Sequence, residues 1–314
     1  LDRMPRPFLQ AVRSETETSQ NFWVFLAGQA SHTPQPGVRC LLHDSLPVRS
    51  GLAGADWIQI PLSGRPALVG LFADLHSNLE AFEACITRAE ELGVTRMAFL
   101  GDLVGYNADP VAIIDRIADL IESKKAIAIL GNHDEAVFKD SRNHMNASAN
   151  AAIEWTKSQL SNAHVQFLQN LPLIVNEEKI CFVHASAHNP SDWHYVTDSM
   201  SAWRCAQSSG KSYTFVGHAH EQALFYQSAV GKLIRFAPHP GDEIPVLGHR
   251  QWVGIVGSLG QPRDGNPEAC FAIFEPEAEV LTFHRTAYDH YTAADKVRRA
   301  GLPEDLANRL ITGK

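Results

Sequence analysis

Apolar runs of strand length alternate with helix-periodic segments in the part of the chain that begins at residue 67. Three runs have the length of buried strands: residues 67–73, 96–100 and 126–130. Between them, apolar side chains recur at helical spacing over residues 79–92 and again after Asp109-Pro110, a dipeptide typical of a helix start. This strand–helix–strand–helix–strand order predicts a parallel sheet with helices packed against it.

The pattern changes after residue 168, where a long helical segment that spans residues 147–168 ends. Seven short apolar segments follow, separated by Gly, Pro, Asn and Asp: residues 180–183, 213–216, 223–226, 233–236, 252–256, 270–274 and 280–284. They predict a second and more antiparallel sheet. The terminal segment, residues 293–310, is periodic like a helix and is interrupted near Gly301-Leu302-Pro303.

Residues 1–65 lack this regularity. They are rich in Ser, Gln, Thr, Pro and Arg, and only residues 22–26 and 57–60 have a strand-like pattern. We therefore predict an N-terminal extension or small subdomain of unknown role over residues 1–65, followed by a main domain over residues 66–314.

The composition argues against several classes of protein. With 45% hydrophobic and 20% charged residues in 314 positions, the chain can bury a sizeable core. Lys and Arg number 27 against 35 Asp and Glu, and this net charge of −8 disfavours a long nucleic acid as partner. No apolar run approaches the ~18 residues of a membrane helix, and the five cysteines are scattered without a Cys-x-x-Cys pair. We expect a cytoplasmic protein with reduced thiols and no membrane partner, of unknown oligomeric state.

Short polar motifs follow five of the apolar segments. They are Asp74-Leu75-His76, Gly101-Asp102, Gly131-Asn132-His133-Asp134, His184, and Gly217-His218-Ala219-His220. Each motif alone has a plain interpretation as a turn or loop, but five of them in this order, each directly after a strand, are not expected by chance. The first three follow strands of the predicted parallel sheet, so we expect them to share one crevice at the carboxyl ends of those strands. Asp oxygens and neutral imidazoles suit Mn, Fe, Zn or Ni, and two such metals ~3.5–4 Å apart are suited to in-line attack on phosphorus.

This order of motifs resembles the calcineurin-like metallophosphoesterases, from Ala67 to about His284. The resemblance implies an α/β (α+β) sandwich, in which two mixed β-sheets pack face to face between helices in four αββα layers. Two further segments resemble the small phosphodiesterase-like members of bacteria and archaea. They are Gly105-Tyr106 with the following Asp109-Pro110, and the loop of residues 257–263.

The resemblance also implies a dinuclear centre of two divalent ions, with Mn as first candidate and Fe, Zn, Ni, Co or Mg as alternatives. The implied ligands are Asp74, His76 and His220 for one ion and Asn132, His184 and His218 for the other, with Asp102 bridging both. A hydroxide that bridges the metals would attack the phosphorus in line. His133 would stabilise the developing charge and protonate the leaving group, and Asp134 would orient His133 or its loop.

The expected reaction is hydrolysis of a phosphomonoester or a small phosphodiester, and a nucleotide is one candidate substrate. Two alternatives stay open: a catalytically quiet metal-binding scaffold of the same fold, and a Ser/Thr protein phosphatase. The second is disfavoured because Gly105 and Tyr106 replace the Asp and the phosphate-binding Arg that follow this motif in protein phosphatases. Tyr106, Asn107 and Arg263 are candidates for the substrate rim, although Arg263 also fits a solvated turn.

Overall fold

The structure is a computed structural model that describes residues 67–139 and 145–314. The predicted extension over residues 1–65, with its two candidate strands, lies outside the described residues. Within the described part, the chain forms two six-stranded mixed sheets and eight α-helices, which are numbered below in chain order.

The first sheet combines strands from both ends of the described chain. Its members are β1 (Val69–Phe72), β2 (Arg96–Phe99), β3 (Ala126–Ala128), β9 (Glu243–Pro245), β11 (Ala269–Glu275) and β12 (Val280–Thr286). The strand order is β3-β2-β1-β11-β12-β9, in which β1, β2 and β3 are parallel and the pairs beyond β1 are antiparallel. The parallel part is the one that the alternating strands and helices predict.

The second sheet is built from the middle of the described chain. Its members are β4 (Ile174–Asn176), β5 (Ile180–Val183), β6 (Tyr213–Val216), β7 (Ala223–Gln227), β8 (Leu233–Phe236) and β10 (Trp252–Ile255). In the order β4-β5-β6-β10-β7-β8, the three consecutive strands β5, β6 and β10 are parallel. The predicted grouping of all later strands in this sheet is wrong, because β11 and β12 join the first sheet. The interior position of β11 agrees with its sequence, since six of its seven residues are buried.

The eight described helices accompany the sheets, and some of them pack directly on strands whereas others pack mainly on other helices. They are α1 (Leu79–Glu91), α2 (Pro110–Glu122), α3 (Asn132–Ala136), α4 (Ala147–Gln159), α5 (Asn162–Gln169), α6 (Ser199–Ser209), α7 (His290–Arg299) and α8 (Glu304–Thr312). The predicted helix over residues 147–168 is two helices, because Leu160 is extended and the Ser161 side chain caps α5. Among the described residues, none of these helices is long and apolar enough to cross a membrane.

Three apolar layers hold the sandwich together. Between the sheets, Phe274 of the first sheet packs on Phe215 of the second, with ring centroids 5.2 Å apart. On the far side of the first sheet, Phe72 and Phe99 join the apolar face of α1, and α6 covers the far side of the second sheet. The result is the four-layered αββα sandwich that the resemblance implies.

Candidate metal centre

The polar motifs after the strands meet at one edge of the sandwich. Asp74, Asp102 and Asn132 follow the parallel strands β1, β2 and β3, whereas His184 and the pair His218 and His220 follow the parallel strands β5 and β6. The carboxyl ends of parallel strands lie at the same sheet edge, so the two sheets deliver these side chains to one place. The carboxylates and imidazoles are almost fully buried, and Asp74, His76 and His184 are each 0% exposed.

The first group contains Asp74, His76 and His220, whose ligand atoms lie within 4.8 Å of one another. His76 Nδ1 donates to the Val104 carbonyl (3.2 Å) and His220 Nδ1 donates to the Gln261 carbonyl (2.7 Å). Because both ring protons are on Nδ1, the two Nε2 atoms face each other as lone pairs at only 3.1 Å. Burial holds the pKa of both imidazoles well below the usual range, so a proton does not resolve this contact. A cation bound by both lone pairs would remove the repulsion between the two rings.

The second group surrounds His184. Its Nδ1 donates to the Leu100 carbonyl (2.8 Å), and its Nε2 faces Asn132 Oδ1 at 3.1 Å, His218 Nδ1 at 3.2 Å and Asp102 Oδ2 at 3.4 Å. Burial lowers the pKa of His184, but the Asp102 carboxylate outweighs burial and raises the pKa to about 9. These converging acceptors therefore require a positive charge, supplied either by a proton on His184 or by a bound cation.

Asp102 lies between the two groups. Its Oδ2 is 3.4 Å from His184 Nε2 and 3.7 Å from His76 Nε2, and its Oδ1 accepts a hydrogen bond from the His133 amide at 2.8 Å. Burial alone would raise the pKa of Asp102, but the positive charge of His184 outweighs burial and holds the pKa well below its usual range. An ionised carboxylate in this position can contact cations in both groups.

Sharp turns after the strands aim the side chains inward. Five site residues have left-handed backbone, with φ between 48° and 64°: Asp74, His76, Asp102, His218 and His220. Such angles are strained for residues other than glycine and persist where the surroundings impose them. At Gly131, a Cβ atom would lie 2.1 Å from the Asp102 amide nitrogen, so only glycine allows the loops after β2 and β3 to approach so closely.

His133 is buried beside both groups without using its Nδ1. Its ring lies 4.8 Å from the His76 ring, and no described residue pairs with the buried Nδ1. Burial lowers the pKa of His133 to about 4, which keeps the imidazole neutral. A nitrogen of this ring is also within 4.8 Å of ligand atoms of His76 and Asp102, so distance alone admits His133 as a further ligand.

Asp134 connects two loops and does not pair with the His133 ring. Its Oδ1 accepts from the Val104 amide at 3.1 Å and its Oδ2 accepts from the Gly131 amide at 3.0 Å. Burial raises the pKa of this carboxyl to about 7. Of the two expected roles for Asp134, these contacts suit orientation of the loop that carries His133.

The three rim candidates occupy different positions. The Tyr106 ring packs on His76 (4.5 Å between centroids) and on His133 (4.4 Å), and the Arg263 guanidinium donates to the Tyr106 hydroxyl at 3.2 Å. Asn107 is only 2% exposed and its Nδ2 donates to the His76 carbonyl at 2.8 Å. This hydrogen bond supports the His76 loop, whereas the Asn107 Oδ1 has no described partner, and the substrate-rim role of Asn107 stays a prediction.

Two aromatic residues of the loop after β5 also reach the site, and the sequence carries no signal for them. The Tyr195 ring is stacked on His218 with centroids 3.9 Å apart and is half exposed, and the Trp193 ring lies 5.8 Å from the His184 ring. The loop lacks the periodicity of a strand or helix, so their positions follow only from the folded chain.

The family model of the calcineurin-like phosphoesterase superfamily domain matches residues 68–279. The chain belongs to the calcineurin-like phosphoesterase superfamily. An uncharacterized protein of Methanocaldococcus jannaschii is 33% identical over 257 residues, which are 79% of this chain and 99% of that protein. These matches confirm the family that the motifs suggest.

Solved structures agree with the fold. A metallophosphoesterase from Sphaerobacter thermophilus is 32% identical, with a TM-score of 0.70 over 80% of this chain and 100% of that one. A hypothetical protein from Pyrococcus horikoshii has a TM-score of 0.66 at 20% identity, over 79% of this chain and 99% of that one, and shows the fold alone. Membership of a phosphoesterase superfamily supports hydrolase activity on phosphoester bonds.

Proposed function

We propose that this protein is a metal-dependent phosphoesterase that hydrolyses a phosphomonoester or a small phosphodiester, with a nucleotide as one candidate substrate. The observation that carries the proposal is the 3.1 Å contact between the Nε2 lone pairs of His76 and His220, which a cation satisfies. Carboxylate, imidazole and amide ligands of this kind suit divalent first-row metals. The superfamily supplies the reaction class.

The proposed centre takes two divalent ions that share Asp102. The ligands would be Asp74, His76, His220 and Asp102 for one ion, and Asp102, Asn132, His184 and His218 for the other. Mn is the first candidate, and Fe, Zn, Ni, Co or Mg are alternatives. When bound, the ions supply positive charge to the phosphate oxygens and acidify a water molecule that serves as nucleophile.

His133 is the proposed catalytic side chain of the protein itself. Its Nε2 makes no described hydrogen bond and, unlike Nδ1, is not fully enclosed, so it is available to donate a hydrogen bond to the ester and to protonate the leaving oxygen. The ring is neutral before substrate binds, and an approaching phosphate anion favours its protonated form. Asp102 holds the His133 backbone amide, and Asp134 holds the loop, so both act as positioning residues.

The first test removes bound metal with a chelator, restores Mn²⁺ and compares hydrolysis of p-nitrophenyl phosphate and bis-p-nitrophenyl phosphate. We expect Mn²⁺-dependent turnover of at least one ester, and the ratio of the two rates separates monoesterase from diesterase. Asp102→Ala should stay inactive after Mn²⁺ is restored, whereas His249→Asn, at an exposed position in a loop, should recover like the wild type. Bound metal without turnover of either ester would instead support the scaffold alternative.

A further inference from the structure

A guanidinium from a distant loop reaches the position next to Tyr106. Tyr106 follows Asp102 where the protein phosphatases have an arginine that binds phosphate, so this chain lacks that arginine in its second motif. Arg263 lies in the loop after β10, 157 residues further along the chain, and its Nη2 donates to the Tyr106 hydroxyl at 3.2 Å. The fold thus places a positive charge close to the position at which this motif lacks the arginine of the protein phosphatases.

Neutral groups hold Arg263 in place. Its Nη2 also donates to Gln261 Oε1 at 3.2 Å, its guanidinium carbon is 5.5 Å from the centre of the Tyr106 ring, and its backbone amide donates to the His220 carbonyl at 3.3 Å. Gln261 is itself fully buried and its carbonyl fixes the His220 ring. The loop that supports one expected metal ligand therefore also orients the guanidinium.

No described carboxylate forms an ion pair with this guanidinium within 4.0 Å. Within residues 67–139 and 145–314, the Arg263 side chain makes two hydrogen bonds, both from Nη2. Its buried Nε has no partner there. The adjacent carboxylate, Asp264, is paired with Arg285 instead. Arg263 is partly exposed, so its charge and the unused N–H groups of Nη1 are available to an anionic ligand.

Tyr106 links the guanidinium to the site. Its hydroxyl accepts from Arg263, and its ring packs on the His76 ring at 4.5 Å and on the His133 ring at 4.4 Å between centroids. The charge of Arg263 is therefore one side chain away from both imidazoles, close enough to act on an anion bound beside them.

We propose that Arg263 binds the phosphate group of the substrate, and that Tyr106 and Gln261 are positioning residues that hold its guanidinium ready for this contact. Nη1, from which no described hydrogen bond starts, supplies the charge-assisted donors to the phosphate oxygens. The inference rests on the proposed function for the identity of the ester, but phosphate binding by Arg263 is measurable without turnover.

The test uses the full-length, Mn²⁺-loaded protein with Arg263→Ala, Arg263→Lys and Arg299→Ala, an exposed arginine that serves as charge control. Calorimetry measures the affinity for orthophosphate, and kinetics on the better nitrophenyl ester measure KM and kcat. We expect Arg263→Ala to weaken orthophosphate binding about 10- to 100-fold, as for loss of charged hydrogen bonds. Arg263→Lys should lose less, and Arg299→Ala should match the wild type.

Two further measurements separate a contact with phosphate from a structural role. Millimolar guanidinium ions should restore part of the phosphate affinity of Arg263→Ala but not that of Arg263→Lys, which still fills the site. Tyr106→Phe keeps the ring and removes the hydroxyl that accepts from Arg263, so KM should rise by less than in Arg263→Ala. Bound metal, measured by elemental analysis, should be unchanged in all variants.

Each outcome decides between the two proposals. Wild-type KM and phosphate affinity in both Arg263→Ala and Arg263→Lys would overturn the role of Arg263 while leaving the phosphoesterase intact. If the wild type hydrolyses neither ester yet binds orthophosphate through Arg263, the proposed function fails and the role of Arg263 stands. Loss of bound metal in both Arg263 variants would make Arg263 a structural residue of the centre and would also overturn the inference.

Discussion

The protonation of single imidazole rings determines what this site can hold. The Val104 and Gln261 carbonyls fix the protons of His76 and His220 on Nδ1, which leaves both Nε2 atoms as ligands. His133 differs, because no described group pairs with its Nδ1 and its ring packs between His76 and Tyr106. The site histidines thus have two proposed roles. A ring whose Nδ1 donates to a backbone carbonyl, as in His76 and His220, presents Nε2 to a metal, whereas His133 makes no such bond to a described residue and is the proposed catalytic side chain.

Replacement of His133 tests this division. His133→Asn should lower kcat by about 10²- to 10⁴-fold, because it removes the proposed proton donor while keeping a small polar side chain. Elemental analysis should find the same bound metal as in the wild type, and His249→Asn is the control for loss of a histidine elsewhere. A parallel fall in metal content would make His133 a ligand, as its distance from His76 and Asp102 also allows.

Gly105 limits where the His133 ring can lie. Its φ is +96°, and a Cβ atom there would be 2.6 Å from His133 Nδ1. Gly105→Ala should therefore displace the ring and lower kcat at least tenfold, in addition to a destabilisation of about 1–2 kcal/mol from the left-handed backbone. Steady-state kinetics and chemical denaturation measure the two effects.

A second glycine separates backbone strain from the clash with His133. Gly241 has a φ of +88°, and a Cβ atom there would meet no described atom within 4 Å, so Gly241→Ala carries the strain alone. It should lose similar stability and keep its kcat. Equal kcat in the two variants would mean that the position of the His133 ring is unimportant for turnover.

At the scale of strands and loops, the local sequence predicts the site residues that neighbouring strands position. It does not predict contacts between residues that lie on loops far apart in the chain. Asp74 and Asp102 are predictable because each follows a strand in the parallel part of the first sheet. The contact of Arg263 with Tyr106 is not, because it depends on the path of a loop 157 residues away. The assignment of β11 and β12 to a sheet failed for the same reason: an apolar strand has the same pattern beside β1 as beside β10.

The pairing of β11 with β12 makes one part of the stability depend on pH. His284 of β12 stacks on Phe271 of β11, and burial together with the nearby Arg88 lowers its pKa to about 4. The unfolded chain binds a proton at His284 below about pH 6.5, and the folded chain does so only below about pH 4. Stability should therefore fall as the pH drops through this window.

Substitution of His284 separates its contribution to the pH dependence of stability from that of the buried site histidines. The loss of unfolding free energy between about pH 7 and pH 5 should be smaller in His284→Gln than in the wild type, because glutamine does not titrate there. His249→Asn, which changes an exposed histidine, should keep the wild-type dependence. Denaturant titrations at both pH values measure this loss of unfolding free energy. An equal loss in His284→Gln and the wild type would show that His284 binds its proton equally well in the folded and unfolded chains.

Over the whole described sandwich, the candidate centre connects the two sheets. Asp74, Asp102 and Asn132 extend from the first sheet, whereas His184, His218 and His220 extend from the second. Direct bonds across this seam already exist, since the His218 amide donates to both carboxylate oxygens of Asp74 at 2.9 and 3.0 Å. Cations at this position would join the sheets further, so metal binding and global stability should be coupled.

Thermal unfolding with and without metal measures this coupling. Mn²⁺ at about 100 times its Kd should stabilise the wild type by about 2.7 kcal/mol per ion, which raises Tm by roughly 5–10 °C for a protein of this size. Asp102→Ala removes the ligand proposed to be shared by both ions, so its Tm should respond little to Mn²⁺ or to chelation. His249→Asn should respond like the wild type. If Mn²⁺ raised the Tm of Asp102→Ala by the full amount, the stabilising ion would bind somewhere other than between the two sheets.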